Sequence, residues 1–309
     1  MSDMQSVISG TVIPKDLAGV DGLEVGFNPP SSNECRLLIT GTPGSGKSTF
    51  LNSNKKLLMI DVEAGGRTVA DPLAMRYTIP PSTKPVDADT AYIAFVDKII
   101  ARRIKGATDI EMIGFDSADE LVALFQRALC IRETDSASPS LLDIGDIGGG
   151  HGKGYAIVRE AIANMLDRIH RAGLGWAIVA HTVTKTVTIG KEEVQVASLA
   201  VSDTYKSMLL RKCEHFLFVE SGVELVTPPP TVKEVKGQKI KTVHPPVPVP
   251  CRFLKTAPGG IWKGAEAAEL KVRVPLADRI KLPQIDGFGT FSNAYTEAIV
   301  KLMENRNGV

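Results

Sequence analysis

The sequence predicts an α/β fold with a mainly parallel central sheet flanked by helices, on three observations. Five short apolar runs recur along the chain, amphipathic helical stripes lie between them, and a glycine-rich turn follows the first run. Continuous apolar runs of this length, each ending at or near a polar residue, suit strands buried on both faces of a parallel sheet. Strand and helix in alternation is the pattern of a doubly wound sheet, whose ligands sit at the carboxyl ends of the strands.

The runs are Cys35–Thr40, Lys56–Val62, Glu111–Asp116, Trp176–His181 and His215–Glu220. Between them Tyr92, Phe95, Val96, Ile99 and Ile100 share one helical face, as do Leu121, Leu124, Phe125 and Ala128. Val158, Ile162, Met165, Leu166 and Ile169 form the clearest stripe, on a helix of about four turns. Residues 1–34, with their Gly, Pro and Ser, read as an irregular lead-in with room for one short strand. Residues 35–225 form the expected core, 226–285 a set of C-terminal strands, and 286–309 a closing helix around Asn293–Met303. Within the C-terminal part, 228–250 is Pro-rich at both ends, with an alternating Lys-rich middle that suits an exposed hairpin. From Thr231 to Lys255 there are six Lys or Arg against one Glu, a local basic bias.

A chain of 309 residues is long enough for about two domains, or one large domain with additions. It can bury a sizeable core without disulfide or metal staples. Lys plus Arg is 36 and Asp plus Glu is 35, a net charge of +1 that excludes a polybasic protein but not a local basic groove. Cys35, Cys130, Cys213 and Cys251 are scattered without a CxxC pair, which argues for buried reduced thiols rather than zinc or disulfides. MSDMQSVISG lacks the basic-then-apolar pattern of a signal peptide, and no apolar run approaches the ~20 residues of a bilayer span. The expectation is a soluble cytoplasmic protein with no membrane partner.

The chemistry concentrates at Gly41-Thr42-Pro43-Gly44-Ser45-Gly46-Lys47-Ser48, which satisfies the P-loop pattern of Gly, four residues, Gly, Lys and Ser or Thr. An apolar strand precedes it and a helix can start near Lys47, so Gly41–Thr49 is the expected nucleotide-binding stretch. The glycines let successive backbone N–H groups curl round phosphates. Lys47 would reach the β- and γ-phosphates, and the Ser48 hydroxyl would take one Mg2+ position. Asp116, at the end of the third run, matches a Mg2+-coordinating carboxylate; a helix N-cap role shared with Ser117 is compatible with it.

Glu63 lies two residues beyond Asp61, where it can act as general base or position a water against the γ-phosphate; the alternative is a surface carboxylate. Asp61 itself reads as structural. His181 ends the fourth run, where it can hydrogen-bond the γ-phosphate and report its loss, or else be an inconsequential loop histidine. Thr182, Thr184 and Lys185 are expected to keep the following loop polar and mobile. Gly148–Tyr155, GGGHGKGY, reads either as a mobile contact loop or as a flexible approach to the next helix. Lys206, Arg211 and Lys212 are candidates for a basic finger acting on a neighbouring subunit's nucleotide, against the plainer reading of a solvated helix face. Arg102 and Arg103 suit a helix C-terminus.

Together, GTPGSGKST, LLMIDVEAGG, IGFDS and IVAHT resemble the RecA-like branch of P-loop ATPases, and most of all the compact bacteriophage Sak-type single-strand annealing recombinases and phage NTP-binding proteins. A short helix after the P-loop, the Gly-Lys-Gly-Tyr segment and the tail RFLKTAPGGIWKGAE add to a likeness spanning Cys35 to Leu282. The resemblance implies a RecA-like P-loop NTPase core with a C-terminal β extension and ATP and Mg2+ as cofactors. It also implies ATP hydrolysis stimulated by single-stranded DNA, and self-association into a ring or filament. The setting would be phage recombination or replication in the host cytoplasm. By position, Lys47 and Ser48 bind nucleotide and Mg2+, Asp116 holds the metal, Glu63 activates water and His181 senses the γ-phosphate. Two departures stand out: the 228–250 insertion, and the lack of an aromatic-rich stacking platform for bases.

Two other functions compete. A nucleotide-switched structural or loader protein would keep the P-loop without significant hydrolysis. A P-loop small-molecule kinase would need an Arg-rich lid, hinted at only by Arg102 and Arg103. A GTPase is disfavoured, because Asn54-Lys55-Lys56-Leu57 ends in Leu where the guanine-reading motif needs Asp.

Overall fold

The buried strand ends that hold the site follow from the order of one sheet. The computed structural model describes residues 30–62, 73–134, 140–189, 192–235, 238–256, 273–283 and 285–307. In chain order the first elements are β1 (Arg36–Gly41), α1 (Lys47–Asn52), β2 (Leu57–Asp61), β3 (Met75–Tyr77), α2 (Ala88–Ile104) and β4 (Met112–Asp116). Then come α3 (Ala118–Glu133), α4 (Lys153–Arg171), β5 (Gly175–Val179), β6 (Thr182–Ile189), β7 (Glu192–Leu199) and α5 (Asp203–Lys212). The chain continues through β8 (His215–Val226), β9 (Thr231–Val235), β10 (Gln238–Thr242), β11 (Val247–Lys255), β12 (Arg279–Leu282) and α6 (Gly287–Asn307).

Eight strands form one sheet in the order β12-β11-β8-β1-β5-β4-β2-β3. The pairs from β8 to β3 are all parallel, and β11 and β12 are added antiparallel beyond β8. Every residue of β2, β4 and β5 is buried, as continuous apolar runs in a sheet covered on both faces require. The five predicted runs therefore become β1, β2, β4, β5 and β8, with ends shifted by a residue or two. The exception is β8, which continues to Val226 because its outer half pairs with β11, Gly222 opposite Cys251 and Val226 opposite Val247. The 225/226 division drawn from composition thus falls inside a strand.

The polar stretch after His181, expected as a mobile loop, is instead strand β6, paired antiparallel with β7. Its sequence TVTKTVTI alternates β-branched residues, a strand signal that outweighs its polarity. The Lys-rich alternating segment forms the β9–β10 hairpin, Thr231 opposite Thr242. The short β3, MRY, has too little pattern to be read from sequence. Cys35, Cys130 and Cys213 are buried and Cys251 half-buried, and burial pushes the Cys35 thiol up to about 12. Among the described residues no helix is long and apolar enough to cross a membrane.

Helices α2 to α5 cover one face of the sheet. Leu38, Ile60, Phe115, Trp176 and Phe216 join Tyr92, Leu121, Val158, Met165 and Tyr205 in one buried cluster. The α4 stripe at Val158, Ile162, Met165, Leu166 and Ile169 is wholly buried, as its spacing predicts. Gly173, at φ 69°, ends that helix: its N–H meets the His170 carbonyl, and the N–H of Leu174 returns to Ile169. That turn delivers the chain into β5.

Where α1 and α6 meet, the Phe50 ring lies 5.8 Å from Phe288 and 6.1 Å from Phe291. A helix of six residues is not stable alone; α1 stands because Phe50 and Leu51 are buried. The predicted closing helix around Asn293–Met303 is longer than expected, since its first turn supplies those aromatic partners.

Candidate nucleotide-binding site

The carboxyl ends of β1, β2, β4 and β5, far apart in sequence, open on one cleft of about 1140 Å³. Register puts them there: Asp61 lies opposite Asp116, Asp116 opposite Val179, and Val179 opposite Ile39. The lining includes Gly44, Lys47, Ser48, Asp61, Asp116 and His181. Order in the sheet explains the location, because the chain leaves β1 for β2 on one side while the chain leaving β5 crosses to β8 on the other, and such switch points open crevices at the strand carboxyl ends.

The glycine-rich loop runs from β1 into α1. The Ser45 N–H bonds the Thr42 carbonyl at 3.1 Å, and the Phe50 N–H bonds Gly46 at 2.8 Å, starting the helix. Thr42, Pro43 and Gly44 form an exposed crest, Ser45 is buried, and Ser48 and Thr49 are half-buried. At Gly41 a side-chain carbon would collide with the Val219 carbonyl oxygen of β8, so only glycine allows that approach. Lys47 is only 6 % exposed. Its Nζ donates to the carbonyl oxygens of Gly41 at 3.0 Å and Thr42 at 3.2 Å, which compensate its buried charge.

Asp116, 9 % exposed, accepts a hydrogen bond of 2.6 Å at Oδ2 from the Ser48 hydroxyl. A hydroxyl and a carboxylate side by side are hard oxygen donors of the kind Mg2+ takes, so the residues present fit that ion. Ser117 occupies the N-cap position of α3 without a side-chain cap bond, and Asp119 and Glu120 fill the first turn.

His181 follows β5, its Nδ1 2.9 Å from Asp119 Oδ2. Burial raises the Asp119 carboxyl, but hydrogen bonds from His181, its own backbone and Ser117 outweigh that and hold it below the usual carboxylate range. The next residue, Thr182, donates from Oγ1 to the Gly41 carbonyl at 3.0 Å and lies 2.8 Å from Thr40 Oγ1. The start of β6 is therefore tied to the same carbonyl that holds Lys47.

Other residues singled out from the sequence fall as follows. Glu63 lies outside the described residues. Asp61 is buried 3.7 Å from Arg76 Nε. Gly148–Tyr155 leads into α4, with Gly148, Gly149, Gly150, His151 and Gly152 all at positive φ. Lys206, Arg211 and Lys212 all lie on α5, and none lines the cleft. Lys206 is buried with Nζ 3.4 Å from Ser198 Oγ, and Lys212 pairs with Asp167 at 2.6 Å. Arg211 is exposed and donates from Nε to Ser207 of its own helix. Sequence reasoning gave Thr182 only a loop role and did not single out Arg252, which lines the cleft; both are brought into place by register and not by any local motif.

The AAA domain family model matches residues 33–244, more than half of the chain. The protein belongs to that family, and its nucleotide loop is that of a P-loop ATPase. Among solved structures, the chain is similar to the KaiC-like protein PH0186 from the hyperthermophilic archaeon Pyrococcus horikoshii OT3. The identity is 8 % and the TM-score 0.36, over 72 % of this chain and 79 % of that one. No curated protein matches the sequence.

Proposed function

We propose that the chain is a Mg2+-dependent ATPase of RecA-like kind that acts on single-stranded DNA as a self-associated ring or filament, in phage recombination or replication. The observation that carries the ATPase part is the 2.6 Å contact of Ser48 Oγ with Asp116 Oδ2, in the same cleft as Lys47. The cleft thus brings the hydroxyl and ammonium of the adjacent Ser48 and Lys47 together with a carboxylate from 68 residues further on.

In this reading Ser48 and Asp116 hold Mg2+, which supplies charge neutralisation at phosphate oxygens when bound. Backbone N–H groups of Gly44 to Thr49 cradle the phosphate chain. Lys47 exchanges its loop carbonyls for phosphate oxygens. Glu63 takes the proton of the attacking water, and His181, oriented by Asp119, contacts the γ-phosphate and passes its loss to β6. Residues 35–225 act as the ATPase core and 226–285 as its β extension, with 286–309 closing the far face. Arg211 is the finger candidate favoured by its exposure, ahead of Lys206 and Lys212. The DNA partner is supported by the RecA-like motifs and by four lysines against one glutamate between Thr231 and Thr242.

The test is phosphate release from Mg·ATP with and without single-stranded DNA, for wild type, Lys47→Ala, Asp116→Asn and Glu63→Ala. DNA is expected to raise the rate, and each substitution to lower it by ~10²-fold or more, as for loss of a preorganised charge-stabilising group. A wild type that binds ATP but never turns it over, with any DNA, would instead make the protein a nucleotide-switched loader.

A further inference from the structure

Arg252 lies beyond the residues matched by the AAA domain, on strand β11 of the antiparallel edge. It nevertheless reaches the nucleotide loop. A side-chain carbon placed on Gly46 would fall 2.5 Å from Arg252 Nη1 and 2.7 Å from its Cδ. Stem and guanidinium thus lie directly over the glycine that precedes Lys47, and Arg252 lines the same cleft as Lys47, Ser48 and Asp116.

Register accounts for the reach. Arg252 stands opposite Ser221 of β8 and Leu282 of β12, and shares its face with the fully buried Leu254 two residues on. The alternate residue Phe253 points to the other face, where the Arg279 guanidinium covers its ring at 3.5 Å. Antiparallel addition of β11 beside β8, whose Val219 touches the loop at Gly41, brings the first residues of that face over the loop.

The cleft lining carries the carboxylates of Asp61, Asp116, Glu224 and Asp286 against Lys47, Arg252 and Lys281. Lys281 is ion-paired with Glu224, and His181 is bonded to Asp119. Glu224 is offset by Lys281 and Asp61 by Arg76, so the cations that can meet a triphosphate's charge are those beside the loop. Lys47 is one. We infer that Arg252 is the second, a phosphate-binding residue that the C-terminal strands supply to the nucleotide site of their own chain. Its charge is permanent, and its planar fork can bind two phosphate oxygens in a fixed side-by-side geometry, where an ammonium acts as a point charge.

This inference rests on the ATPase reading above, and one experiment separates the two. Equilibrium binding of Mg·ATP is measured for the full-length wild type, Arg252→Lys, Arg252→Gln and Lys47→Ala, with the melting temperature of each nucleotide-free protein as the folding control. Arg252→Gln is expected to weaken Mg·ATP binding at least tenfold. Arg252→Lys, which keeps charge and stem, is expected to fall between it and wild type. If both Arg252 variants bind within threefold of wild type while Lys47→Ala has lost the nucleotide, Arg252 is a packing residue and the ATPase reading stands. If wild type binds no Mg·ATP, both are overturned. Should Arg252→Gln melt early, Arg252→Lys decides, because wild-type affinity in that variant contradicts recognition by the guanidinium fork.

Discussion

Replacing Phe50 by alanine probes how a helix of six residues can hold the nucleotide loop. Phe50 is 2 % exposed, and its ring packs between Phe288 and Phe291 of α6 at 5.8 and 6.1 Å. Burial of one phenylalanine removes ~150–250 Å² from water, which at ~25 cal/mol per Å² is worth about 4–6 kcal/mol. Alanine recovers part of that and leaves a cavity, so the expected loss is about 3–5 kcal/mol. Against a total stability of ~5–15 kcal/mol, that is a large fraction. The assay is guanidinium unfolding followed by circular dichroism, where the midpoint should fall at unchanged slope. In a double-mutant cycle with Phe291→Ala, the pair should show ~0.5–1.5 kcal/mol of coupling beyond area. Because Lys47 and Ser48 ride on the same short helix, Mg·ATP affinity should fall as well. A loss below ~1 kcal/mol with unchanged ATP affinity would refute the idea that the aromatic cluster anchors the loop.

Two further substitutions test other parts of the structure. Gly46→Ala places a carbon against Arg252 at a backbone φ of 94°, so it should abolish Mg·ATP binding in a calorimetric titration and cost ~1–3 kcal/mol in thermal melts. Glu214 accepts from the Arg36 backbone N–H and from Arg36 Nη2, each at 3.0 Å, at the start of β1. Burial raises its carboxyl, but those bonds outweigh the burial and hold it below the ordinary 4.5. A depressed carboxylate stabilises the fold above its unfolded pKa, and that stabilisation is lost as pH falls through the lower folded value. Glu214→Gln should therefore cost ~1.5–3 kcal/mol at pH 7, with the gap closing in acid below the ordinary glutamate range; a pH-independent gap in urea midpoints would count against the ion pair.

Local pattern was enough for much of this molecule. Apolar runs became β1, β2, β4, β5 and β8 because strands buried on both faces need nothing but hydrophobic length. The stripe of α4 was readable because its period alone decides its buried face. Gly41 to Ser48 could be placed between a strand and a helix from eight adjacent residues, and Asp116 from the end of a run. The expected loop at Thr182, Thr184 and Lys185 is part of strand β6, because polar composition hides the β-branched alternation of TVTKTVTI.

What the sequence by itself determined is the stretch proposed to bind phosphate, a glycine-rich turn between a strand and a helix, since residue type and spacing in one short segment suffice to mark it. Tertiary structure alone decided which groups face that stretch. The 2.6 Å bond between Ser48 and Asp116 spans 68 residues. Thr182 meets Gly41 across 141 residues, and Arg252 meets Gly46 from the antiparallel strand β11, two strands away from β1 in the sheet. These meetings depend on strand order and register, which arise from how apolar faces pack together and leave no periodic trace near the residues that meet.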